Sequence, residues 1–123
     1  MFKEQKILNH EYDPEADALY IEVKNYPSPE ATPLTDNIIL DFTAEGEIVG
    51  LEIINTSHVL NTSIENLKHI NSIDLIVKVT EYQILVNAIF TLAIKDRDEF
   101  KTANATVVNE NNIPFMDEKL ATA

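Results

Sequence analysis

The sequence predicts an α+β, mainly β fold: antiparallel hairpin and meander halves, about six or seven strands in total, joined by one short helix. Three observations predict it. Apolar and polar residues alternate with a period of two over Ala18–Lys24 and Ile73–Thr80. The chain carries 15 Ile, 8 Val and 10 Thr, whose stiff, β-branched side chains suit a pleated surface. A capping-box pattern, Thr62-Ser63-Ile64-Glu65, opens a stretch with Leu60, Ile64, Leu67 and Ile70 near helical spacing.

Taken in order, Ile7–Tyr12 alternates and reads as a short strand, with Leu8, His10 and Tyr12 on one side. Asp13-Pro14-Glu15-Ala16-Asp17 ends it, because Asp caps and Pro fits the first position of a turn. Ala18–Lys24 reads as a half-buried strand with Leu19, Ile21 and Val23 inward. Pro27, Pro29 and Pro33 mark Tyr26–Asp36 as an extended loop, the one loop long enough to act as a lid or binding edge. Asn37–Phe42 and Glu47–Ile54 form a hairpin closed at Gly46, which accepts a left-handed backbone; Gly50 inside the second strand points to a bulge or a close backbone approach. The helix follows at about Ser63–Ile70. Ile73–Thr80 alternates again, and Tyr82–Lys95 is apolar on both faces; Leu85, Ala88, Ile89 and Leu92 also fit helical spacing, but the β-branched content favours a strand destined for full burial. Lys95-Asp96-Arg97-Asp98 makes a charged turn and Phe100–Val108 completes a meander. The resulting organisation is 1–57 as an N-terminal hairpin-rich domain, 58–71 as a connecting helix, 72–108 as a C-terminal meander packed on the first part, and 109–123 as a flexible tail.

The bulk numbers narrow the chemistry. With 21 acidic and 9 basic residues the formal charge is −12, and Arg97 is the one arginine. Phosphate backbones need Lys and Arg, so nucleic acid is not an expected partner. The absence of Cys excludes a disulfide framework, a cysteine zinc site and a cysteine nucleophile. Two glycines, Gly46 and Gly50, do not make a phosphate loop. Apolar runs such as Ile38-Ile39-Leu40 and Ile84-Leu85-Val86 are far shorter than the roughly 20 residues of a membrane span, so no membrane insertion is expected. The N-terminus lacks the apolar core of a signal peptide, which makes the cytoplasm the expected location. The acidity suits solubility or a basic protein partner.

Two stretches carry a resemblance. Tyr12-Asp13-Pro14-Glu15-Ala16-Asp17-Ala18-Leu19-Tyr20-Ile21, then Ile38-Ile39-Leu40-Asp41-Phe42 through Glu45-Gly46-Glu47-Ile48-Val49-Gly50-Leu51-Glu52-Ile53, resemble the small prokaryotic domain of unknown function family 2283. The resemblance covers about residues 12–57. It implies a hairpin-rich fold followed by a helix, and no known activity, cofactor or catalytic residue. Through neighbouring genes for small toxin-like proteins, it also hints at an antitoxin role. Residues from Ile73 onward lie outside it.

Several residues could carry chemistry. Asp13, Glu15 and Asp17 place three carboxylates within five residues, either a weak site for a hard cation or a capped, solvated turn. His10, His58 and His69 are the nitrogen ligands and proton shuttles, with no tight pair among them. Asp41, with Glu52 on the pairing strand, could form a carboxylate pair for acid–base work, although alternation turns Asp41 toward solvent. Ser57 and His58 are adjacent, without the G-x-S-x-G elbow of a serine hydrolase. Tyr20, Tyr26 and Tyr82 could line an interface, and Tyr12 and Tyr20 could be partial core.

The sequence is therefore read as a non-enzymatic interaction or oligomerisation module, with no catalytic, cofactor-binding or metal residue assigned. Residues 1–54 alone form a sheet too small to bury its apolar face, which points to a homodimer with the Tyr82–Lys95 strand near the shared core. One alternative is an acidic antitoxin-like partner of a small basic toxin. Another is a metal-dependent enzyme using Asp13, Asp17 or Asp41 with His58, which requires at least two of these side chains to converge on one pocket.

Overall fold

The computed structural model of the chain describes residues 3–122, with side chains from residue 6 onward. Ten strands and two one-turn helices follow one another: β1 (Lys3–Lys6), β2 (Asn9–Asp13), β3 (Ala18–Glu22), β4 (Glu30–Pro33), β5 (Ile38–Phe42), β6 (Ile48–Ile54), α1 (Thr56–Val59), α2 (Ile64–Leu67), β7 (Ile70–Val79), β8 (Gln83–Ile94), β9 (Arg97–Val108) and β10 (Met116–Ala121). They form two five-stranded sheets, ordered β2-β3-β6-β5-β4 and β1-β10-β7-β8-β9. All neighbours are antiparallel except β1 and β10, which run parallel. The mainly β class read from the alternation is the class found.

One core joins the sheets. Leu19, Ile21, Leu40, Leu51 and Ile53 of the first sheet and Ile73, Leu75, Val77, Val86, Phe90 and Leu92 of the second belong to a single buried cluster. These are the alternate residues of their strands, because successive side chains leave a strand on opposite faces. The chain crosses between the sheets twice, through α1 and α2 after β6 and, more abruptly, between β1 and β2, where Ile7 N donates to Ala121 O in the second sheet at 2.8 Å and Leu8 N donates to Glu22 O in the first at 2.8 Å. The β1–β2 crossing closes one side of the sandwich. On the other side the sheets end separately, at β4 and β9.

The hairpin between β5 and β6 forms as its residues dictate. Gly46 takes φ +91°, and Gly46 N donates to Thr43 O at 3.0 Å. Asp41 pairs with Gly50 but Phe42 pairs with Ile48, so Val49 is an extra residue and a bulge. Its carbonyl accepts from both Val23 N and Lys24 N, at 2.8 and 3.1 Å.

Four expectations need correction. The described residues form ten strands, not six or seven, because the proline-bearing loop contains β4 and both terminal regions contribute β1 and β10. There are two helices, not one. α1 was hidden because it starts from Asn55 in a left-handed conformation, φ 58°, without a side-chain cap. At α2 the cap is Ser63 rather than Thr62: Ser63 Oγ accepts from Asn66 N at 3.1 Å, while Thr62 Oγ1 accepts from the Asn66 side chain. The stretch expected as a flexible tail, 109–123, contains a strand within its described part, 109–122. Met116, Glu118 and Leu120 are buried, and β10 lies between β1 and β7. Ile113, Phe115, Met116 and Leu120 looked too sparse for a strand because only every second residue of β10 faces the core. Finally, β8 is not buried on both faces: Ile84, Val86, Ala88, Phe90 and Leu92 are buried, whereas Leu85, Asn87, Ile89 and Thr91, on the opposite face, are half-buried. Met1, Phe2 and Ala123 lie outside the described residues. No helix among the described residues is long and apolar enough to cross a membrane.

The position of β10 has a measurable consequence. Deleting residues 116–123 removes Met116 and Leu120 from the core and strips β7 of a neighbour; loss of each such side chain typically costs about 2–5 kcal/mol. Thermal unfolding followed by circular dichroism is expected to lose its cooperative transition, whereas removal of a loose tail would leave the midpoint unchanged.

Candidate functional site

The Asp13–Asp17 turn is a structural lock. Asp13 Oδ1 accepts from Glu15 N at 3.0 Å and Ala16 N at 3.3 Å, an Asx turn. Asp17 sits at φ 52°, a left-handed position that Asp tolerates better than most residues. Its carboxylate accepts from Tyr12 Oη at 2.6 Å, Ser57 Oγ at 2.6 Å and Ser57 N at 3.1 Å. Its carbonyl accepts from Thr56 N and Thr56 Oγ1, at 2.9 and 3.1 Å. Partial burial pushes the Asp17 carboxyl up, but the hydrogen bonds from Ser57 and Tyr12 outweigh it and hold the group below its usual value. Burial, together with the Asp17 charge and bond, raises the Tyr12 hydroxyl. The Asp17 oxygens are thus turned onto the start of α1.

A second cluster lies on the outer face of the first sheet. β-pairing sets Glu11 beside Tyr20, Tyr20 beside Glu52, and Glu52 beside Ile39; Glu22 and Asp41 flank Gly50 in the next row. Tyr20 lies across Gly50, where an added Cβ would collide with its hydroxyl and stand 2.7 Å from Ile21 O. Tyr20 Oη donates to Asp41 Oδ2 at 3.3 Å. Burial, with the Asp41 charge and hydrogen bond next, pushes the Tyr20 hydroxyl up to about 12. Burial also raises Asp41, helped by the Glu52 charge and opposed by the Tyr20 hydrogen bond. A shallow depression of about 230 Å³ is bounded here by Glu11, Asp13, Ala18, Leu19, Tyr20 and Glu52.

The two clusters do not merge. Asp13 and Asp17 belong to the β2–β3 turn, Asp41 to the middle of a sheet face, and His58 is exposed on α1. His10 lies on β2 and His69 just before β7. Among the described residues no three His, Asp or Glu side chains are grouped to hold a metal ion. Ser57 Oγ is committed to Asp17 rather than to His58. Tyr82 is exposed at the β7–β8 turn, and Tyr26 is half-buried in the loop before β4.

The open side of the sandwich holds what residue-by-residue inspection missed. Two adjoining clefts flank the loop between β9 and β10. One, about 370 Å³, is lined by Glu30, Thr32, Phe42, Ala44, Asn112 and Pro114; the other, about 450 Å³, includes Pro33, Ile84, Thr106, Val108 and Glu110. The loop between them is fixed by one side chain. Asn109 Nδ2 donates to Thr80 O at 2.9 Å and Ile113 O at 3.0 Å, and Asn109 Oδ1 accepts from Ile113 N at 2.9 Å. The proline loop supplies the β4 wall. The missed signal was Asn109 itself, an amide whose partners lie 29 and 4 residues away in sequence.

Comparison with known proteins follows this geometry. Residues 9–57 match the family described as Protein of unknown function (DUF2283). The matched segment runs from β2 to the first residues of α1 and contains the Asp17–Ser57 contact and the packing of Tyr20 over Gly50. Over 118 residues the chain is 25% identical to a Methanosarcina mazei protein described as "Putative hypoxanthine phosphoribosyltransferase", covering 96% of this chain and 95% of that one. No solved structure gives a significant match.

Two substitutions test the electrostatics with opposite signs. Asp17→Asn removes a charged acceptor of several bonds and is expected to cost about 1.5–3 kcal/mol at neutral pH. Because the folded pKa of Asp17 is lowered, its contribution is present above the usual value of 3.8 and fades as pH falls through the lowered one. The gap between wild type and Asp17→Asn therefore narrows in acid. Asp41 has a raised folded pKa, so its charge opposes folding at neutral pH and the opposition is relieved as pH falls through that value. Asp41→Asn keeps an acceptor for Tyr20 and is expected to unfold at higher urea than wild type at pH 7, with the difference closing below about pH 4. Gly50→Ala overpacks the site and is expected to cost about 1–3 kcal/mol. Adding Tyr20→Phe is not expected to restore it, since Ile21 O still stands in the way.

Proposed function

We propose that this protein works by association with another polypeptide through the open side of the sandwich, and performs no chemistry. The observation that supports this most directly is the dispersal of the candidate reactive groups. Asp17 and Ser57 bond each other, Tyr20 bonds Asp41, and among the described residues no hydrogen bond or ion pair links His58 to any of the acids. The clefts beside β4 and β9 offer exposed backbone and apolar wall instead, the ground on which strand addition operates.

The name of the Methanosarcina mazei relative suggests transfer of a phosphoribosyl group, which carries phosphate. Against that reading, the chain has a net charge of −12, its clefts carry Glu30 and Glu110 without Lys or Arg, and its helices are single turns. Phosphate sites are commonly built from helix N-termini and cations. A second mode of association is favoured by the outer face of the first sheet, where Glu11, Glu22, Asp41 and Glu52 share one surface. Its complement is a basic protein, the relation an antitoxin has to a cationic toxin.

Native mass spectrometry of the protein taken intact from its host, paired with amide exchange, tests the proposal. The expected result is a stoichiometric complex, homomeric or heteromeric, in which exchange slows along Thr102–Val108. A heteromer with a basic chain that dissociates steeply with salt and protects β3 and β6 instead assigns the association to the acidic face. Recovery of monomer alone, or turnover of hypoxanthine with a phosphoribosyl donor by the purified protein, overturns the proposal.

A further inference from the structure

The four strand edges of the sandwich are not alike. β1 and β4 are four residues long, and β4 ends in Pro33. β2 has five residues and turns Glu11 and Asp13 outward. Shortness, proline and charge are the devices by which an edge avoids pairing with other chains. β9 has none of them over most of its length. It is twelve residues long, contains no proline, and carries no charge from Thr102 to Val108. Its backbone pairs on one side only, with β8. Phe100 and Val108, 68% and 69% exposed, stand on its outer face.

We infer that a second copy of this chain adds to β9 antiparallel, joining two five-stranded sheets into one ten-stranded sheet across a two-fold axis. This inference rests on the association reading above. The charge layout selects a second copy as the occupant. Two chains of −12 repel wherever like charges meet, and the charged residues of β9, Arg97, Asp98, Glu99 and Lys101, all fall in its first five positions. Antiparallel pairing centred on Ala103 sets Asp98 opposite Val108, Glu99 opposite Val107 and Lys101 opposite Ala105, so every charged residue of one copy faces an uncharged residue of the other. Parallel in-register pairing would set Glu99 against Glu99. A centre on a residue, rather than between two, also keeps the faces matched, because side chains alternate with a period of two. Phe100 then lies opposite Thr106 and diagonal to Val108, within reach of a long side chain. The two exposed apolar groups of each β9 meet twice, once on either side of the axis. The axis lies away from the shared core expected at Tyr82–Lys95, because β8 is already paired on both sides.

The chain has no cysteine, so an introduced pair reports cleanly. In the double variant Thr102→Cys/Asn104→Cys the two positions face each other across the axis, and mild oxidation is expected to give a covalent dimer; the same pair of changes at Asn9 and Glu11 on β2 is expected to give none. In sedimentation velocity the wild type is expected to be dimeric in the micromolar range. Asn104→Glu/Thr106→Glu, at exposed positions, is expected to weaken that dimer about tenfold or more, roughly 1.4 kcal/mol per decade, while the circular dichroism spectrum and melting of the monomer stay unchanged. A wild type that stays monomeric overturns the inference, whether or not a heteromeric complex keeps the association reading standing. A dimer that neither cross-links at these positions nor responds to the added charges also overturns it, and places association on another face.

Discussion

Each sheet of this protein buries one face, and the two buried faces lie against each other in one cluster. The constraint follows from the alternation in the sequence, and most of the architecture answers to it. Leu19, Ile21, Leu51 and Ile53 would be a water-exposed stripe without Leu75, Val77, Phe90 and Leu92 across from them. At about 25 cal/mol per Å² of apolar surface, hiding both faces at once is the largest favourable term available to a chain with two single-turn helices. The crossing at Ile7 and Leu8 and the insertion of β10 between β1 and β7 serve the same end. They tie the N-terminal and C-terminal regions into the second sheet, so neither face can separate without breaking a ladder.

The letters that mark residues 9–57 are explained by how the first sheet holds its shape. Asp17 anchors the β2–β3 turn to α1 through Ser57 and Thr56, which fixes where the chain leaves the sheet after β6. Gly50 leaves room for the Tyr20 ring, and the bulge at Val49 beside it lets Val23 and Lys24 share one carbonyl. Motif residues of this kind invite a catalytic reading because they are polar and closely spaced. Their hydrogen bonds run to backbone amides, to one another and across strands, which is a structural commitment. A carboxylate holding an amide and two hydroxyls has few lone pairs left for a metal or a substrate.

The sequence was most legible where one face of a strand is buried and the other wet. β3, β5, β6 and β7 follow from period-two patterning, and the conformation of Gly46 follows from its place in a short hairpin. Legibility failed where the signal was not local. β10 looks like a polar tail because only Met116, Glu118 and Leu120 face inward, and one of those is charged; Glu118 accepts from Ile48 N, 70 residues away. α1 is invisible to a search for caps because Asn55 begins it by backbone conformation rather than by a side-chain bond. The outer face of β8 misled in the other direction, since Leu85 and Ile89 are apolar residues on a surface that the monomer leaves half-covered. Alternation places Asp41 on the outer face, but its contact with Tyr20 is not local: the two come from strands that are not neighbours and meet over Gly50.

Half-covered apolar residues and an unblunted edge on the same sheet have a common explanation in the charge of the molecule. A surface with 21 acids repels its own copies strongly enough that most of it needs no other protection against self-association. The edges that are short or acidic repeat that protection. The second sheet departs from it along β8 and β9: Leu85, Ile89 and then Phe100, Thr102, Asn104, Thr106 and Val108 carry no charge, whereas the outer face of β7 and β10 carries Asp74, Lys78, Asp117 and Lys119. A band without charge, ending in a twelve-residue strand paired on one side, is where the general electrostatic barrier is lowered and hydrogen-bonded strand addition has something to gain. Net charge thus acts here as a filter: by excluding contact over most of the surface, it leaves the orientation of any association to the place where charge is missing.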